Sequence, residues 1–509
     1  MNDKLERALL VYLGVLIAAG LAVRFASLPF QGMQIDDVFT QLILQPPVSF
    51  ASLVTDRAIE RETLPPLYFF LAAGWQALFG AGETTLRALN AAVGVLALLA
   101  GWLLGRHLLQ PRPLLLFLAL LACSYGAIYT GYKARPYALL LLFGTLLTFG
   151  YIGVSRKFRD SGALEWTPLL GLAAWGVLAA YSHYLGLIFA GAVFALLALQ
   201  ALQQRELTSL SRTLGAGLLT LLLFVPWLAY QLPRQLALLG ELDYFWFPDS
   251  FAEYVFQLHV YLRYLSGDIF LSLALFAVFL LPLPFCLRRA RLWEFRGNLT
   301  PLAQSVALIA MTLALTIPLN LIAPFSLARY FIVLLPCLYL GMALSFDLLI
   351  RLAPRGLWRG GALLLTAACV SSLLIALPPL FRDTPDEVRA AAVFVTGELG
   401  CEKGVLPVFQ PRAWSDGLTA YRYYLEPLGT ARVESVETAN GDLAFPAGRD
   451  PDCRLLLWIH KYYYTVMGEK AARLGPDLGI EIDPESFQAA PPVMTKIIGS
   501  QAIYYRAAE

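Results

Sequence analysis

Charged residues are scarce in this chain. Asp, Glu, Lys and Arg make up 15% of the 509 residues, hydrophobic residues make up 58%, and the mean hydropathy is +0.63. Soluble globular proteins have about 25% charged residues, so this composition excludes that class and indicates a polytopic membrane protein. The sequence also lacks a basic cluster of the kind that indicates nucleic-acid binding, a Gly/Ser-rich linker, an internal repeat and a zinc-ligand spacing. We therefore expect no nucleic-acid partner and no zinc site.

The charge that is present is distributed unevenly. Residues 381–509 carry 13 Lys/Arg and 18 Asp/Glu, which gives a net charge of −5, whereas residues 1–380 have a net charge of +7. This division predicts a basic membrane domain, residues 1–380, followed by an acidic soluble domain, residues 381–509.

Eleven apolar runs are candidate transmembrane helices. The first follows a basic start and has no small-residue cleavage site, so we expect an uncleaved anchor. A further run, residues 65–80 (PPLYFFLAAGWQALFG), has only about 14 apolar residues, and its prolines and aromatic residues favour a helix lying on the membrane surface. The eleven runs are residues 8–28, 84–105, 113–130, 137–154, 167–181, 184–202, 213–230, 269–287, 301–320, 328–350 and 360–379.

The distribution of Lys and Arg predicts the topology. If residues 65–80 lie flat and the N-terminus is cytoplasmic, the inner loops hold 16 Lys/Arg and the outer loops hold 8, as the positive-inside rule requires. If residues 65–80 crossed the membrane, the clusters RKFR and RRAR would face outward. We therefore expect eleven transmembrane helices, with the acidic soluble domain on the outer side.

Six charged residues are expected at the outer surface, near the ends of predicted transmembrane helices. Ionisable groups at such positions either reach the interface as anchors or line a cavity. Together they would form an outward-facing cationic pocket beside a carboxylate pair, and Arg and Lys are the usual partners of phosphate. The cations are Arg87, Lys133, Arg135 and Arg329, and the carboxylates are Asp36 and Asp37.

Five segments, in order, resemble the GT-C superfamily of membrane glycosyltransferases. They are IDDVFT in the first outer loop, the Pro-Pro-Leu helix and the span after it, YTGYKARPYALLLLFG, YSHYLGLIFA, and RYFIVLLPCLYL. The likeness covers about residues 5–350. It is greatest to the bacterial branch that is related to protein O-mannosyltransferases, the 4-amino-arabinose lipid A transferase and the RgtA-to-D lipopolysaccharide transferases.

This resemblance implies a reaction at the outer face of a bacterial inner membrane. The donor would be a polyprenyl-phosphate sugar, and the acceptor would be a hydroxyl group of a lipid, glycan or protein. A carboxylate of the first outer loop, Asp36 or Asp37, would act as general base for the attacking hydroxyl. The leaving lipid phosphate needs cationic stabilisation, and a single displacement would invert the anomeric centre.

The third segment departs from the family pattern at Lys133. The family usually has Glu there, and some relatives are thought to hold a divalent metal with acidic residues near this turn. Lysine at this position favours direct phosphate binding, and the outer loops offer few of the oxygen ligands that hard cations require. We therefore expect no obligatory metal or other cofactor.

Three further residues are candidates for substrate binding. His183 is one of only four histidines and lies in the outer turn AYSHYLG. A lone histidine is more often structural, but its imidazole can donate or accept hydrogen bonds at a substrate. Tyr132 and Tyr137 flank the KARP turn that contains Lys133 and Arg135.

The soluble domain has the pattern of a small α/β fold. The runs VLPVF, RLLLWIHKYYY and AIYYR predict strands. Thr384 and Glu387 form a capping box at the start of a helix, and Gly400 is a stop signal. An oxidising compartment would allow Cys401 and Cys453 to form a disulfide.

The main alternative function is a transporter or flippase of lipid-linked sugars. Such a protein would need ionisable groups at mid-membrane and interrupted helices in two related halves. This chain has its candidate residues at the outer ends of spans and shows no two-half pattern. A structural scaffold would leave the charged pocket without a role.

Overall fold

The computed structural model describes most of the chain, and the contacts within it define two compact units. One unit comprises residues 1–29 and 43–378, and the other comprises residues 30–42 and 379–509. The described residues are 3–28, 35–44, 48–49, 51, 53–54, 64–241, 250–280, 296–322, 327–352, 355–377, 387–409, 418–425, 431–436, 443–460, 477–483, 486–498 and 501–507.

Helices make up nearly all of the described chain up to residue 377. A short 3-10 helix, Ala328–Leu334, leads directly into α14. In chain order the α-helices are α1 (Asp3–Ala26), α2 (Ile35–Ile43), α3 (Leu67–Phe79), α4 (Glu83–Gly105), α5 (Pro111–Cys123), α6 (Tyr125–Tyr132), α7 (Tyr137–Ser161), α8 (Trp166–Ser182), α9 (Tyr184–Gln203), α10 (Leu207–Glu241), α11 (Phe251–Arg263), α12 (Ile269–Leu280), α13 (Arg296–Ile322), α14 (Leu335–Leu352) and α15 (Arg355–Ala376).

The predicted helical membrane architecture is confirmed. Among the described residues, seven helices are long and apolar enough to cross a membrane, and the bent pair α5–α6, which changes direction by 47°, makes an eighth. These coincide with eight of the eleven predicted runs. The other three runs fall on α8, α12 and α15, and residues 281–287 of the α12 run lie outside the described part.

The most buried spans are α7 and the segment Ala328–Arg351, which contains the 3-10 helix and α14. They approach each other closely at Gly144, where an added Cβ would lie 2.6 Å from the carbonyl oxygen of Val333. Only glycine therefore lets the 3-10 helix pack against α7. This contact fixes the position of the 3-10 helix, which carries Arg329, relative to α7, which follows Arg135.

The Pro-Pro segment forms the short helix α3. Pro66 precedes its first turn, as expected for a residue that lacks the backbone N–H. Its 13 residues correspond to about 20 Å of helix, less than the roughly 30 Å of a bilayer core. A surface orientation for α3 remains a prediction.

The second unit contains a five-stranded sheet, and the α/β prediction is confirmed. Its strands are β1 (Val405–Phe409), β2 (Arg432–Ser435), β3 (Leu455–His460), β4 (Val493–Ile498) and β5 (Gln501–Arg506), with α16 (Glu387–Val393) before β1 and α17 (Leu418–Leu425) between β1 and β2. The order is β2-β1-β3-β5-β4; β1 is parallel to β2 and β3, and β5 is antiparallel to β3 and β4.

A disulfide, a helix end, a capping box and three strands were predicted for this unit. Cys401 and Cys453 form a disulfide, and Gly400 has a φ of 68°, as a helix stop requires. Strands β2 and β4 were not predicted from the sequence. Thr384, the first residue of the predicted capping box, and the KYYY part of the predicted third strand lie outside the described residues.

Candidate functional site

The turn between α6 and α7 presents Lys133 and Arg135. Both side chains are largely buried, with exposed fractions of 4% and 7%. Asn90 of α4 holds the turn, because its side-chain amide nitrogen donates to the carbonyl oxygen of Lys133 and, at 3.1 Å, to that of Arg135. A buried amide thus fixes the backbone of both cationic residues from the neighbouring helix.

The position of the α6–α7 turn depends on the break between α5 and α6. Ser124 caps the new helix by accepting a hydrogen bond from the backbone N–H of Ala127 at 3.4 Å. The buried Arg24 of α1 donates through Nη2 to the carbonyl oxygens of Leu121 and Ala122, at 2.7 and 3.4 Å. A cationic donor suits these carbonyls, because the C-terminal end of a helix carries unsatisfied acceptors and partial negative charge.

Arg24 has room because Gly94 of α4 faces it. A Cβ at Gly94 would collide with Nη1 of Arg24. Neither Arg24 nor Asn90 was identified from the sequence, because both bind backbone carbonyls, and such partners leave no residue pattern. A charged residue inside an apolar run was the one available signal for Arg24.

Lys133 lies beside a group of tyrosines. Its Nζ is 5.3 Å from the ring centroid of Tyr129 and 6.0 Å from that of Tyr132, distances at which an ammonium group is attracted to an aromatic face. The Tyr129 ring is 5.6 Å from Tyr264, at the end of α11. The Lys133 ammonium group thus lies near the rings of Tyr129 and of Tyr132, which is also a predicted site residue.

A second group joins Arg135, His183 and Arg329. The pKa of His183 is lowered to about 3, mainly by burial and next by the positive charges of Arg135 and Arg329. The His183 ring centroid is 4.5 Å from that of Tyr330 and 6.4 Å from that of Tyr137. Three separate elements thus meet here: the α6–α7 turn, the α8–α9 joint and the 3-10 helix.

The aromatic rings also orient the cation of the 3-10 helix. The guanidinium carbon of Arg329 is 5.7 Å from the ring centroid of Tyr330, and Tyr330 is 6.4 Å from Tyr137. Arg329 and Tyr330 are neighbours in sequence, so one short helix carries both a guanidinium group and the ring that packs on His183. The result is a histidine enclosed by aromatic rings and accompanied by two guanidinium groups.

Arg87 is buried at the start of α4. Its Nη1 donates to the carbonyl oxygen of Leu28 at 3.2 Å, and its Nη2 lies 3.6 Å from the carboxylate of Glu83. Arg87 therefore links the end of α1 to α4. Asn90 lies three residues further along, so that both side chains project from the same face of α4.

Asp36 and Asp37 lie in the first turn of α2, which falls largely within the second compact unit. Carboxylates are favoured in the first turn of a helix, because the backbone N–H groups there are unsatisfied and carry partial positive charge. Asp37 is 1% exposed, whereas Asp36 is only partly buried. Their role as a catalytic base stays a prediction.

Within the described residues, no three His, Cys, Asp or Glu side chains lie close enough together to hold a metal ion. The predicted site residues that the structure does bring together are cations, tyrosines and a histidine, which is a donor-rich set suited to an anion.

The chain matches one protein family over residues 63–230, and that family is described as dolichyl-phosphate-mannose-protein mannosyltransferase. The matched region contains Arg87, Tyr132, Lys133, Arg135, Tyr137 and His183. It excludes the Asp36–Asp37 pair and Arg329. No curated protein sequence matches the chain significantly.

The fold is similar to that of two solved structures of ArnT from Cupriavidus metallidurans. The structure bound to undecaprenyl phosphate has a TM-score of 0.52 and 15% sequence identity, and the alignment covers 98% of both chains. The apo structure has a TM-score of 0.50 and 13% identity over 97% of both chains. The chain thus has an ArnT-like fold, and the family match over residues 63–230 agrees with the resemblance of the sequence segments that lie in this region.

Proposed function

We propose that the chain is a membrane glycosyltransferase of the GT-C superfamily, and that it transfers a sugar from a polyprenyl-phosphate donor to an acceptor hydroxyl group at the outer face of the membrane. The family match over residues 63–230 and the ArnT-like fold support this proposal. The acceptor belongs to a lipid, a glycan or a protein. The observation that carries this proposal is the group formed by Arg135, His183 and Arg329, two cations and a buried ring contributed by three separate elements.

The chemistry of the leaving group explains why such a site is needed. When the bond between the anomeric carbon and the phosphate oxygen breaks, negative charge grows on the lipid phosphate. Fixed guanidinium groups at the rim of a low-dielectric site stabilise that charge more strongly than water does. Arg135 and Arg329 supply this stabilisation in our proposal, and Lys133 adds a third cation from the same turn. ArnT bound to undecaprenyl phosphate supports a lipid phosphate as the ligand.

The acceptor hydroxyl needs a base. In our proposal Asp36 or Asp37 accepts its proton as its oxygen attacks the anomeric carbon, and the single displacement inverts that centre. The family pattern favours Asp36 slightly, and its partial exposure also fits a group that must reach a substrate. Because phosphate is a good leaving group, the reaction requires no strong general acid.

The proposal includes the orientation of the protein in a bacterial inner membrane. The N-terminus is cytoplasmic and the sheet-containing unit is extracytoplasmic. The excess of Lys and Arg in the inner loops supports this orientation, and the Cys401–Cys453 disulfide fits an oxidising compartment.

Binding of undecaprenyl phosphate to the purified protein in lipid nanodiscs, followed by native mass spectrometry, tests the site. We expect Arg135→Gln and Arg329→Gln each to weaken binding at least about tenfold, because each removes a charged partner of the phosphate. Arg159→Gln is the matched control, because Arg159 is exposed at the opposite end of α7. Equal affinities for all four proteins would contradict the proposed site.

A turnover assay separates an enzyme from a transporter. Membranes that contain a radiolabelled polyprenyl-phosphate sugar are supplied with a lipid extract as acceptor. Transfer of label to an acceptor, lost in Arg135→Gln but retained in Arg159→Gln, is the expected result. Movement of the intact labelled lipid between leaflets without transfer would instead indicate a flippase.

A further inference from the structure

His183 is the single residue between α8 and α9. Its backbone is extended, with φ −168° and ψ 147°, and its N–H donates to the carbonyl oxygen of Ala179 at 3.0 Å while its own carbonyl accepts from Gly186 at 2.8 Å. A Cβ at Gly186 would collide with the carbonyl oxygen of Ala179. The joint is therefore tight, and the position of the His183 ring is set by the backbone of two long helices.

One nitrogen of the ring has a structural partner. The backbone N–H of Leu185 donates to Nδ1 of His183 at 3.2 Å, so that the imidazole caps the first turn of α9. A nitrogen that accepts a hydrogen bond carries no proton. The proton of the neutral ring must then lie on Nε2, because neutral imidazole has one donor nitrogen and one acceptor nitrogen.

The other nitrogen, Nε2, is a buried donor that has no hydrogen-bond partner among the described residues. The whole side chain is 2% exposed, so bulk water is a poor substitute. Arg135 and Arg329, whose positive charges act on the ring, can only donate, and the described neighbours of the ring include the aromatic rings of Tyr137, Tyr184 and Tyr330. The missing partner must be an acceptor, and two adjacent cations select an anionic one.

We propose that Nε2–H of His183 donates a hydrogen bond to a phosphate oxygen of the lipid donor, which lies between Arg135 and Arg329. The inference rests on the proposed function and extends that function by giving His183 a defined role, a fixed tautomer and a fixed charge. His183 acts as a neutral donor that selects the orientation of the phosphate, and it neither gives up nor receives a proton during sugar transfer.

Two substitutions separate this role from helix capping. The amide of asparagine ends near the position of Nδ1, so His183→Asn keeps an acceptor for Leu185 N–H but has no group at Nε2. The amide of glutamine reaches the position of Nε2, so His183→Gln keeps the donor but loses the cap. Binding of undecaprenyl phosphate and thermal unfolding are measured for both.

We expect the two variants to rank in opposite order in lipid affinity and in melting temperature. His183→Asn should lose at least about tenfold in affinity for undecaprenyl phosphate, whereas His183→Gln should lose less than about threefold. The melting temperature should fall more in His183→Gln than in His183→Asn. If His183→Asn binds as tightly as the wild type, the inference is overturned while the proposed function stands. If the wild-type protein itself does not bind undecaprenyl phosphate, both are overturned.

The protonation state of the His183 ring provides an independent test of the inference. The 15N spectrum of histidine-labelled protein, assigned by comparison with His183→Asn, should show a neutral ring protonated at Nε2 from about pH 5 to about pH 8. Addition of undecaprenyl phosphate should shift the Nε2 resonance and leave the tautomer unchanged. A ring protonated at Nδ1, or a doubly protonated ring in this range, would overturn the inference.

Discussion

Asn90 donates a hydrogen bond from its side-chain amide to the backbone carbonyl oxygen of Arg135 at 3.1 Å. The same amide nitrogen donates to the carbonyl oxygen of Lys133, so one buried side chain of α4 holds the backbone of the cationic turn. The turn is thus anchored through the main chain of both residues.

Asn90→Ala should therefore affect both stability and binding. Loss of the amide leaves two backbone carbonyls without this donor and should lower the free energy of unfolding by about 1–3 kcal/mol. It should also weaken undecaprenyl phosphate binding, because the turn is no longer fixed. Gln304→Ala is the matched control: this buried amide donates to Ser155 Oγ at 2.7 Å and should cost stability alone. Equal effects of both variants on binding would contradict the anchoring role.

Gly94→Ala should disturb the site through Arg24. The new methyl group would collide with the guanidinium group of Arg24, and overpacking of this kind typically costs about 1–3 kcal/mol of unfolding free energy. Arg24 would be displaced from the carbonyls of Leu121 and Ala122, so lipid phosphate binding should weaken as well. Gly14→Ala, in α1, meets nothing within 4 Å and should be nearly neutral. The melting temperatures of the two variants provide the comparison.

Removal of the carboxylates should act on the chemical step. We expect at least one of Asp36→Asn and Asp37→Asn, and the double variant, to lower kcat by about 10²- to 10⁴-fold, the usual contribution of a general base. Affinity for undecaprenyl phosphate should stay unchanged in the variant that loses the base. Glycan analysis of cells with matched expression levels provides the measurement, and wild-type modification by all three variants would refute the assignment.

Metal chelation should leave the reaction unaffected. In our proposal Lys133, Arg135 and Arg329 supply the positive charge that a divalent ion would otherwise bring to the leaving phosphate. The turnover rate after dialysis against EDTA should equal that of untreated protein. A loss of activity that Mg²⁺ or Mn²⁺ restores would show that a metal takes part.

The buried His183 should make stability depend on pH in a defined direction. Its pKa is about 3 in the folded protein and about 6.5 when unfolded. Below about pH 6.5 the unfolded chain binds a proton that the folded chain does not, so stability should fall as the pH decreases, by up to about 1.4 kcal/mol per pH unit. His183→Asn should lack this contribution. Melting temperatures at about pH 7.5 and about pH 5 test it, and an equal decrease in both proteins would argue against a neutral buried ring.

Much of the membrane architecture could be predicted, because its signals are local. Apolar runs of sufficient length gave the spans, and the 13 residues of α3 agree with its short apolar run. The edge strands β2 and β4 were missed for a physical reason. β2 has only four residues, RVES, and β4, VMTKII, is partly exposed along its whole length, so neither has the apolar run that identifies a buried strand.

The candidate site could be predicted in part. Lys133, Arg135, His183 and Arg329 were identifiable because charged or polar residues at the ends of apolar runs are unusual. The residues that hold them in place were not, since the side chains of Asn90 and Arg24 bind main-chain carbonyls and Leu185 binds His183 through its own backbone N–H. Main-chain partners have no sequence signature. The nitrogen of His183 that carries the proton is likewise fixed by one backbone N–H group.

The disulfide of the second unit has a mechanical consequence. Cys401 lies just before β1 and Cys453 just before β3, and these two strands are parallel neighbours. The covalent bond therefore ties together the same ends of two strands that are about fifty residues apart in the chain. A proteolytic cut between them leaves one covalent body, and lengthening the intervening chain costs little, because loop-closure entropy grows only slowly with length. Between the cysteines, a position outside β1, α17 and β2 is thus suitable for an epitope tag or a protease site.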